Sequence, residues 1–525
     1  MEAMDKLPLP SNTVFALYTP RRRMTYLLVT GFIALLTPFT DTVYLPALSS
    51  VKRDLNADDV SVSVTVSAYL AAVAVGQLTF GPLTDSFGRK PVCLIGLLAF
   101  EALTIACVFS TDINSLIALR AVQGFLCAAS LISAQAVIAD IYEPAERGAA
   151  SGLFFTPLLI GPILAPLLGG FLSSAYSWRA TFVLLAAMAV PIAATTAWFL
   201  PETHPYYVVQ QLAVSLNTQV TDNDYNAAAD DDVVYDAAAP TWTVAASMET
   251  RNGGDGVIAN PNPNPRNGDD GVIEGGVESM ADARSRVYHA QKALGLDKLL
   301  PPLANPLEAL RFLADPQLAP YLACVCLSFT AMFTSLAIVP LYFAHSPWNL
   351  DEGSIGLTYL PSGLAMLVGS ILGGRVSDYS AKVFSQSPDG RLTLMLIPGS
   401  LIPFGAVAFG YTLEYGVNLG AVLVMQSIFC GAQAAMMPST MSYFSTVRPL
   451  HAGSVVSVML FLCFAGSAIS VSLCVIISDA IGIGLFYVII SGLNLVVIIV
   501  TTVLNLRRIR TPTSPRNEQI LLETN

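Results

Sequence analysis

The chain has 525 residues, of which 54% are hydrophobic and 12% charged. Soluble domains carry about 25% charged residues, so a single water-soluble globule is excluded and long lipid-facing stretches are implied. The net charge of −11 says little about a substrate, because residues 202–315 hold 17 acidic and 7 basic residues and leave the remainder near neutral.

A helix needs about twenty apolar residues to cross a bilayer. That rule predicts spans near 24–46, 61–82, 91–110, 114–139, 150–173 and 180–200, then near 317–343, 354–376, 392–412, 417–444, 452–478 and 483–506. The expected fold is an all-α membrane protein: twelve transmembrane helices in two pseudo-symmetric six-helix bundles. Residues 1–23 read as a cytosolic tail, 24–201 as the first bundle, 202–315 as a disordered acidic cytosolic loop, 316–506 as the second bundle and 507–525 as a second tail. The polar stretch before Arg21, Arg22 and Arg23, followed by a full-length span, is not the pattern of a cleavable signal. Basic residues such as Arg89, Lys90, Arg147, Arg391, Arg448 and Arg507 gather on one side of this plan. The positive-inside rule then places both termini and the insert in the cytosol.

The insert is rich in Asp, Asn, Gly and Pro, and Arg251–Ile258 is echoed by Arg266–Ile273. Such composition buries little. It reads either as a passive tether or as a site for a regulatory partner. Its end, Ala304–Asp315, reads as a short helix lying on the inner membrane surface.

Gly81-Pro82-Leu83-Thr84-Asp85 closes the second span, and Gly374-Arg375-Val376-Ser377-Asp378 closes the eighth. A repeat at matching positions of two halves points to a transporter. In the longer run Gly81 to Lys90, Gly88 permits a tight turn that lets Asp85 and Arg89 pair. That run resembles, almost residue for residue, the loop signature of the major facilitator superfamily. The resemblance implies a gating role for Gly81, Asp85, Gly88, Arg89, Lys90 and, in the second half, Asp378. Lys382 and Val383 stand where a second basic pair is expected, which puts a second latch in doubt.

Three further stretches extend the resemblance. Leu116–Gly124 carries Arg120 and Gln123 in the fourth span. An arginine there needs pairing or water, unless it snorkels to the interface; the resemblance ties it to proton handling. Gly161-Pro162-Ile163-Leu164-Ala165-Pro166-Leu167-Leu168-Gly169-Gly170 resembles the fifth-span motif of antiporters. Gly369, Gly373 and Gly374 on the eighth span are its expected counterpart. Pro38–Leu48 resembles the opening motif of twelve-span drug:proton antiporters and places Asp41 in the first span. Burial and a nearby arginine pull the protonation of such an acid in opposite senses. Asp41 is therefore a proton site, or else an acid in an external vestibule. Glu101, in the third span, is a second protonatable candidate or a neutral packed acid. Trp178-Arg179-Ala180-Thr181-Phe182 and Leu200-Pro201-Glu202-Thr203 match two more elements of that branch. Asp140 reads as part of the inner loop with Glu143 and Glu146.

Gln123, Gln426 and Gln433 are the expected polar groups of a substrate cavity; the last two lie seven apart on one helical face. The function implied is proton-coupled export of drugs or amphipathic metabolites. Nutrient uptake and a non-transporting scaffold are the alternatives. No enzyme activity is expected. No cofactor is expected either, since there is no Walker loop and the four histidines form no metal set. Expected partners are a small-molecule substrate, protons and the lipid bilayer, with no nucleic acid and a monomeric chain. The plasma membrane is the expected location, with the vacuolar membrane as alternative.

Overall fold

The computed structural model describes residues 18–204, 207–208, 308–384, 389–394, 396–447 and 452–510. Among them are twelve long helices: α1 (Pro20–Thr42), α2 (Asp59–Phe87), α3 (Arg89–Val108), α4 (Ile113–Ile141), α5 (Pro144–Ala175), α6 (Arg179–Phe199), α7 (Ala319–Phe343), α8 (Glu352–Val383), α9 (Leu396–Glu414), α10 (Leu419–Val447), α11 (Ala452–Ile481) and α12 (Ile483–Arg510). Eleven apolar helical stretches are long enough to cross a membrane; in α5 the described apolar stretch is Ile160–Ala175. Phe32, Ile95, Val183, Phe404, Leu493 and Val496 are exposed on the outside, as expected of a surface that meets lipid.

The helix ends follow local chemistry. Thr19 caps α1 by accepting the Arg22 amide, with Pro20 in the first turn. Arg21, Arg22 and Arg23 therefore lie inside α1, not in a preceding tail. Asp58 and Asp112 cap α2 and α4 by accepting the amides of Ser61 and Ser115. Gly88, at φ +93°, separates α2 from α3. The first predicted span, 24–46, lies within the apolar helical stretch Pro20–Asp54 but is not one regular helix: α1 stops at Thr42, and a 3-10 turn (Leu45–Ala47) leads into a short helix, Leu48–Asp54. Pro46 supplies no amide to continue α1. The predicted surface helix at 304–315 is a 3-10 helix at Glu308–Ala314. The Asp230–Asp232 run and the Arg251/Arg266 duplication lie outside the described residues.

The helix pairings repeat. In the first half α2 packs on α4, α1 on α5, α3 on α4 and α6, and α1 on α6. Adding six to each number gives the pairings of the second half: α8 on α10, α7 on α11, α9 on α10 and α12, and α7 on α12. The halves meet through α2 against α11 and α5 against α8, which the same operation exchanges. Both ends of the helical set, Pro20 and Arg510, lie at one face, called here the tail face; the opposite one is the far face.

Candidate functional site

The first cluster lies inside the first half, toward the far face. Arg120 on α4 is completely buried. Its Nη1 donates to Gln123 Oε1 at 2.8 Å and its Nη2 to the Thr40 carbonyl at 3.4 Å, while Nε has no acceptor. Its Cζ lies over the rings of Tyr69, Tyr44 and Phe182, at 4.1, 5.4 and 5.9 Å from their centroids. Gln123 passes the network on to Thr104 on α3 at 2.7 Å. Asp41 on α1 is 4% exposed and shares the chamber with Arg120 and Tyr69; its Oδ1 has no donor.

Rings and neutral acceptors do not neutralise a guanidinium. A cation–π contact contributes about 2 kcal/mol at best, whereas an unpaired buried charge costs several. Ionised Asp41 balances Arg120 through space, and protonated Asp41 leaves it uncompensated. The chamber thus holds an acid whose proton occupancy changes the local charge balance. Arg120 turns inward instead of toward the interface, and Asp41 is buried with it. Glu101 is not brought here: it is half-buried on α3, its Oε2 lacks a partner, and no hydrogen bond joins it to Asp41 or Arg120.

The tail face of the first half carries a denser charge network. Arg89 pairs with Asp85, one turn away on α2, and its Nε donates to Asp140 Oδ2 at 2.9 Å. Asp140 thus belongs to the end of α4 and to this charge network, and is not a loop residue grouped with Glu143. The Glu202 carboxylate accepts the Arg89 and Lys90 amides at 2.9 and 3.1 Å, and those of Thr203 and His204 as well. It neutralises the orphan amides at the start of α3. Tyr207 adds a further tie, its hydroxyl donating to the Ser86 carbonyl at 2.7 Å. A Cβ at Gly88 would meet Glu202, whereas one at Gly81 would meet nothing within 4 Å. Gly81 therefore makes no close approach to a neighbouring helix.

The second half has its own version. Gly390-Arg391 takes the place of Gly88-Arg89, and Arg391 Nη1 lies 3.4 Å from Asp378 and 2.7 Å from Ser442 Oγ. The basic partner missing at Lys382 and Val383 is supplied twelve residues beyond Tyr379 by Arg391. Beside it, Asp389 accepts from Tyr321 and Tyr443 at 3.0 and 2.8 Å, with Arg508 at 3.6 Å and Asn505 bonding its carbonyl. Sequence reasoning missed this cluster. Its signal was the buried stripe Tyr487, Ser491, Asn494, Thr501, Asn505 along one face of α12.

The Gly161–Gly170 run sits between α1 and α8. A Cβ at Gly161 would meet Pro38, one at Gly169 the Val43 carbonyl, and one at Gly170 the Glu352 carbonyl and Gly356. Pro162 and Pro166 lie within the same helix. Its partners on α8 are Gly353, Gly356 and Gly363; the expected counterparts Gly369 and Gly373 pack instead on Gly431 and Ala435 of α10, and a Cβ at Gly374 would meet nothing.

Gln426 and Gln433 are buried on α10, and each Nε2 lacks an acceptor. Phe429 and Met436 on the same helix meet α9, while Gly431 and Ala435 meet α8. Helical spacing then turns Gln426 and Gln433 toward the interior of the second half. Gln77, on α2, was not singled out by its sequence context; it is fully buried with both amide atoms unpartnered.

Comparison with known proteins gives the chain its relatives. It is 25% identical to the MFS antiporter QDR3 of Candida albicans over 90% of this chain and 76% of that protein. It is 24% identical to the efflux pump radE of Floropilus chiversii over 78% of this chain and 67% of that one. Against multidrug resistance protein D of Escherichia coli the identity is 32%, over 35% of this chain and 47% of that protein. The fold matches a partially occluded inward-open structure of the xylose transporter XylE from E. coli, with a TM-score of 0.59 at 11% identity, covering 91% of this chain and 97% of that one. The family model for the Major Facilitator Superfamily matches residues 30–471. This multi-pass membrane chain, a transporter and not an enzyme, belongs to the Major Facilitator Superfamily.

Proposed function

We propose that the protein is a proton-coupled exporter of small amphipathic molecules that works by alternating access. The observation that carries this is the buried Asp41–Arg120 chamber. A carboxyl enclosed beside an otherwise unneutralised arginine, in an apolar first half, is suited to bind and release a proton. The relatives named as antiporter, efflux pump and multidrug resistance protein favour export. The Gly161–Gly170 helix, wedged between α1 and α8, offers a route by which a change at Asp41 reaches the other half. Charge asymmetry orients the molecule: Arg21–Arg23, Arg89, Lys90, Arg391, Arg507 and Arg508 lie at the tail face, which is then cytosolic. The plasma membrane is the location proposed. The segments 24–201 and 316–506 act as the two moving bodies, rocking about the chamber and about the apolar seam between them. Coupling needs the proton and the substrate to favour different states.

A compound-sensitivity screen of cells with and without the protein tests the reading. Expression should raise resistance to a set of lipophilic compounds, and Asp41→Asn, at equal surface abundance, should remove that resistance. Resistance unchanged by Asp41→Asn would sink the assignment of Asp41.

A further inference from the structure

At the far face the two halves are tied by one carboxylate. Glu352 is the first residue of α8 and is 9% exposed. Its Oε1 accepts from the Ser50 hydroxyl and lies 3.7 Å from Arg53 Nη2, which also donates to Ser50 Oγ at 2.9 Å. Ser50 and Arg53 belong to the short helix Leu48–Asp54 that follows α1. The second oxygen, Oε2, is buried without a partner beside Ser173 of α5, whose hydroxyl is also unpartnered. Two elements of the first half and one of the second thus converge on a single side chain.

Among the described residues, Arg53–Glu352 is the one ion pair between halves, and Ser50–Glu352 the one side-chain hydrogen bond. The tail-face pairs behave differently. Arg89 with Asp85 and Asp140 stays within the first half, and Arg391 with Asp378 and Arg508 with Asp389 stay within the second. On the α5–α8 side the seam is close packing of glycine and aliphatic surface. Among the described residues, polar ties between the halves are therefore confined to the far face.

The lock also touches the proton chamber. Gly169 and Gly170 are neighbours on α5. A Cβ on the first would strike the Val43 carbonyl, two residues beyond Asp41, and a Cβ on the second would strike the Glu352 carbonyl. A shift at the end of α1 is passed through this glycine pair to the start of α8, because close-packed contacts transmit displacement.

The geometry points to Glu352 as the far-face gate: its carboxylate holds the short helix of the first half onto α8 of the second, and its release lets the halves part there. This rests on the alternating-access reading above. A purely local role for Glu352, as an acid favouring the start of α8, needs neither Ser50 nor Arg53.

Two experiments on the purified, liposome-reconstituted full chain separate these. In Ser50→Cys/Glu352→Cys, oxidation should cross-link the pair and stop substrate exchange, and reductant should restore it; both single variants serve as controls. Cross-linked protein that exchanges substrate at the unlinked rate overturns the gate. Exchange is measured without a pH gradient, so failure of proton coupling leaves this readout intact. The second experiment uses native Cys474, which is buried and lines a small cavity between the halves with Ser63, Thr334 and Leu341. Labelling of Cys474 by a polar maleimide should rise severalfold in Glu352→Ala and in Arg53→Ala. Labelling equal to wild type in both variants reduces Glu352 to a local helix-start role.

Discussion

At the scale of single residues, identity matters more than charge. Arg89 reaches Asp85 and Asp140 with different nitrogens of one planar group. A lysine presents a point charge and cannot span both. Arg89→Lys should therefore lower export by about tenfold at unchanged expression, the cost of one lost charge-assisted bond; a transport assay normalised to protein level decides. His204 makes a pH prediction. Burial, together with the Arg89 charge, holds its imidazole down to a pKa of about 4. The docked segment keeps His204 neutral, whereas the released segment takes up a proton near 6.5. Docking is then at full strength above pH 6.5, weakens as pH falls, and reaches its minimum below about 4. Hydrogen exchange of the Thr203 and His204 amides should quicken over that window in wild type, and His204→Asn should flatten the dependence. Much of the first-half chemistry was legible because spacing carries it: Asp85 and Arg89 are four apart, and Gly88 between them marks the turn. The second-half equivalent was hidden by distance, since Asp378 and Arg391 are thirteen apart and only folding brings them together. Asp140 was hidden by its neighbours, because Glu143 and Glu146 made it look like part of a charged loop.

At the scale of elements, α5 is the helix that joins its own half to the other. It packs on α1 within its own half and on α8 across the seam, with glycines at both contacts. Gly169→Val would drive a side chain into the Val43 carbonyl. Overpacking of this kind costs about 1–3 kcal/mol or more where backbone cannot yield, so thermal stability in detergent should fall and export with it. Gly81→Ala is the matched control, since a Cβ there meets nothing, and both measurements should stay near wild type. Equal damage from the two changes would refute the packing argument. The sequence pattern located α5 and its glycines, yet it named the wrong partners. Gly369 and Gly373 read as a small-residue stripe in the same way as Gly356 and Gly363 do, and one-dimensional spacing does not say which stripe meets which helix.

At the scale of the whole molecule, the two halves share an architecture and differ in chemistry. Adding six to every helix number reproduces the pairings, but the charged chamber exists in one half only. Arg120 and Asp41 occupy the first-half interior, while the corresponding interior of the second half holds the amides of Gln426 and Gln433 and the hydroxyl of Tyr487. On the proposed reading, proton handling falls to the first half, and the second contributes neutral hydrogen-bonding groups. Helix count and the boundaries of most spans followed from hydropathy, since lipid demands twenty apolar residues wherever the chain crosses. The division of labour did not, because it depends on which polar side chains turn inward. The most direct test reconstitutes the purified chain in liposomes and imposes a pH gradient on a transported compound found in the sensitivity screen. Wild type should accumulate the compound against its gradient in the compartment that supplies protons, because the two move in opposite directions. Asp41→Asn should lose that accumulation by at least about tenfold while still exchanging compound at equilibrium. Gradient-driven accumulation undiminished in Asp41→Asn would contradict the account.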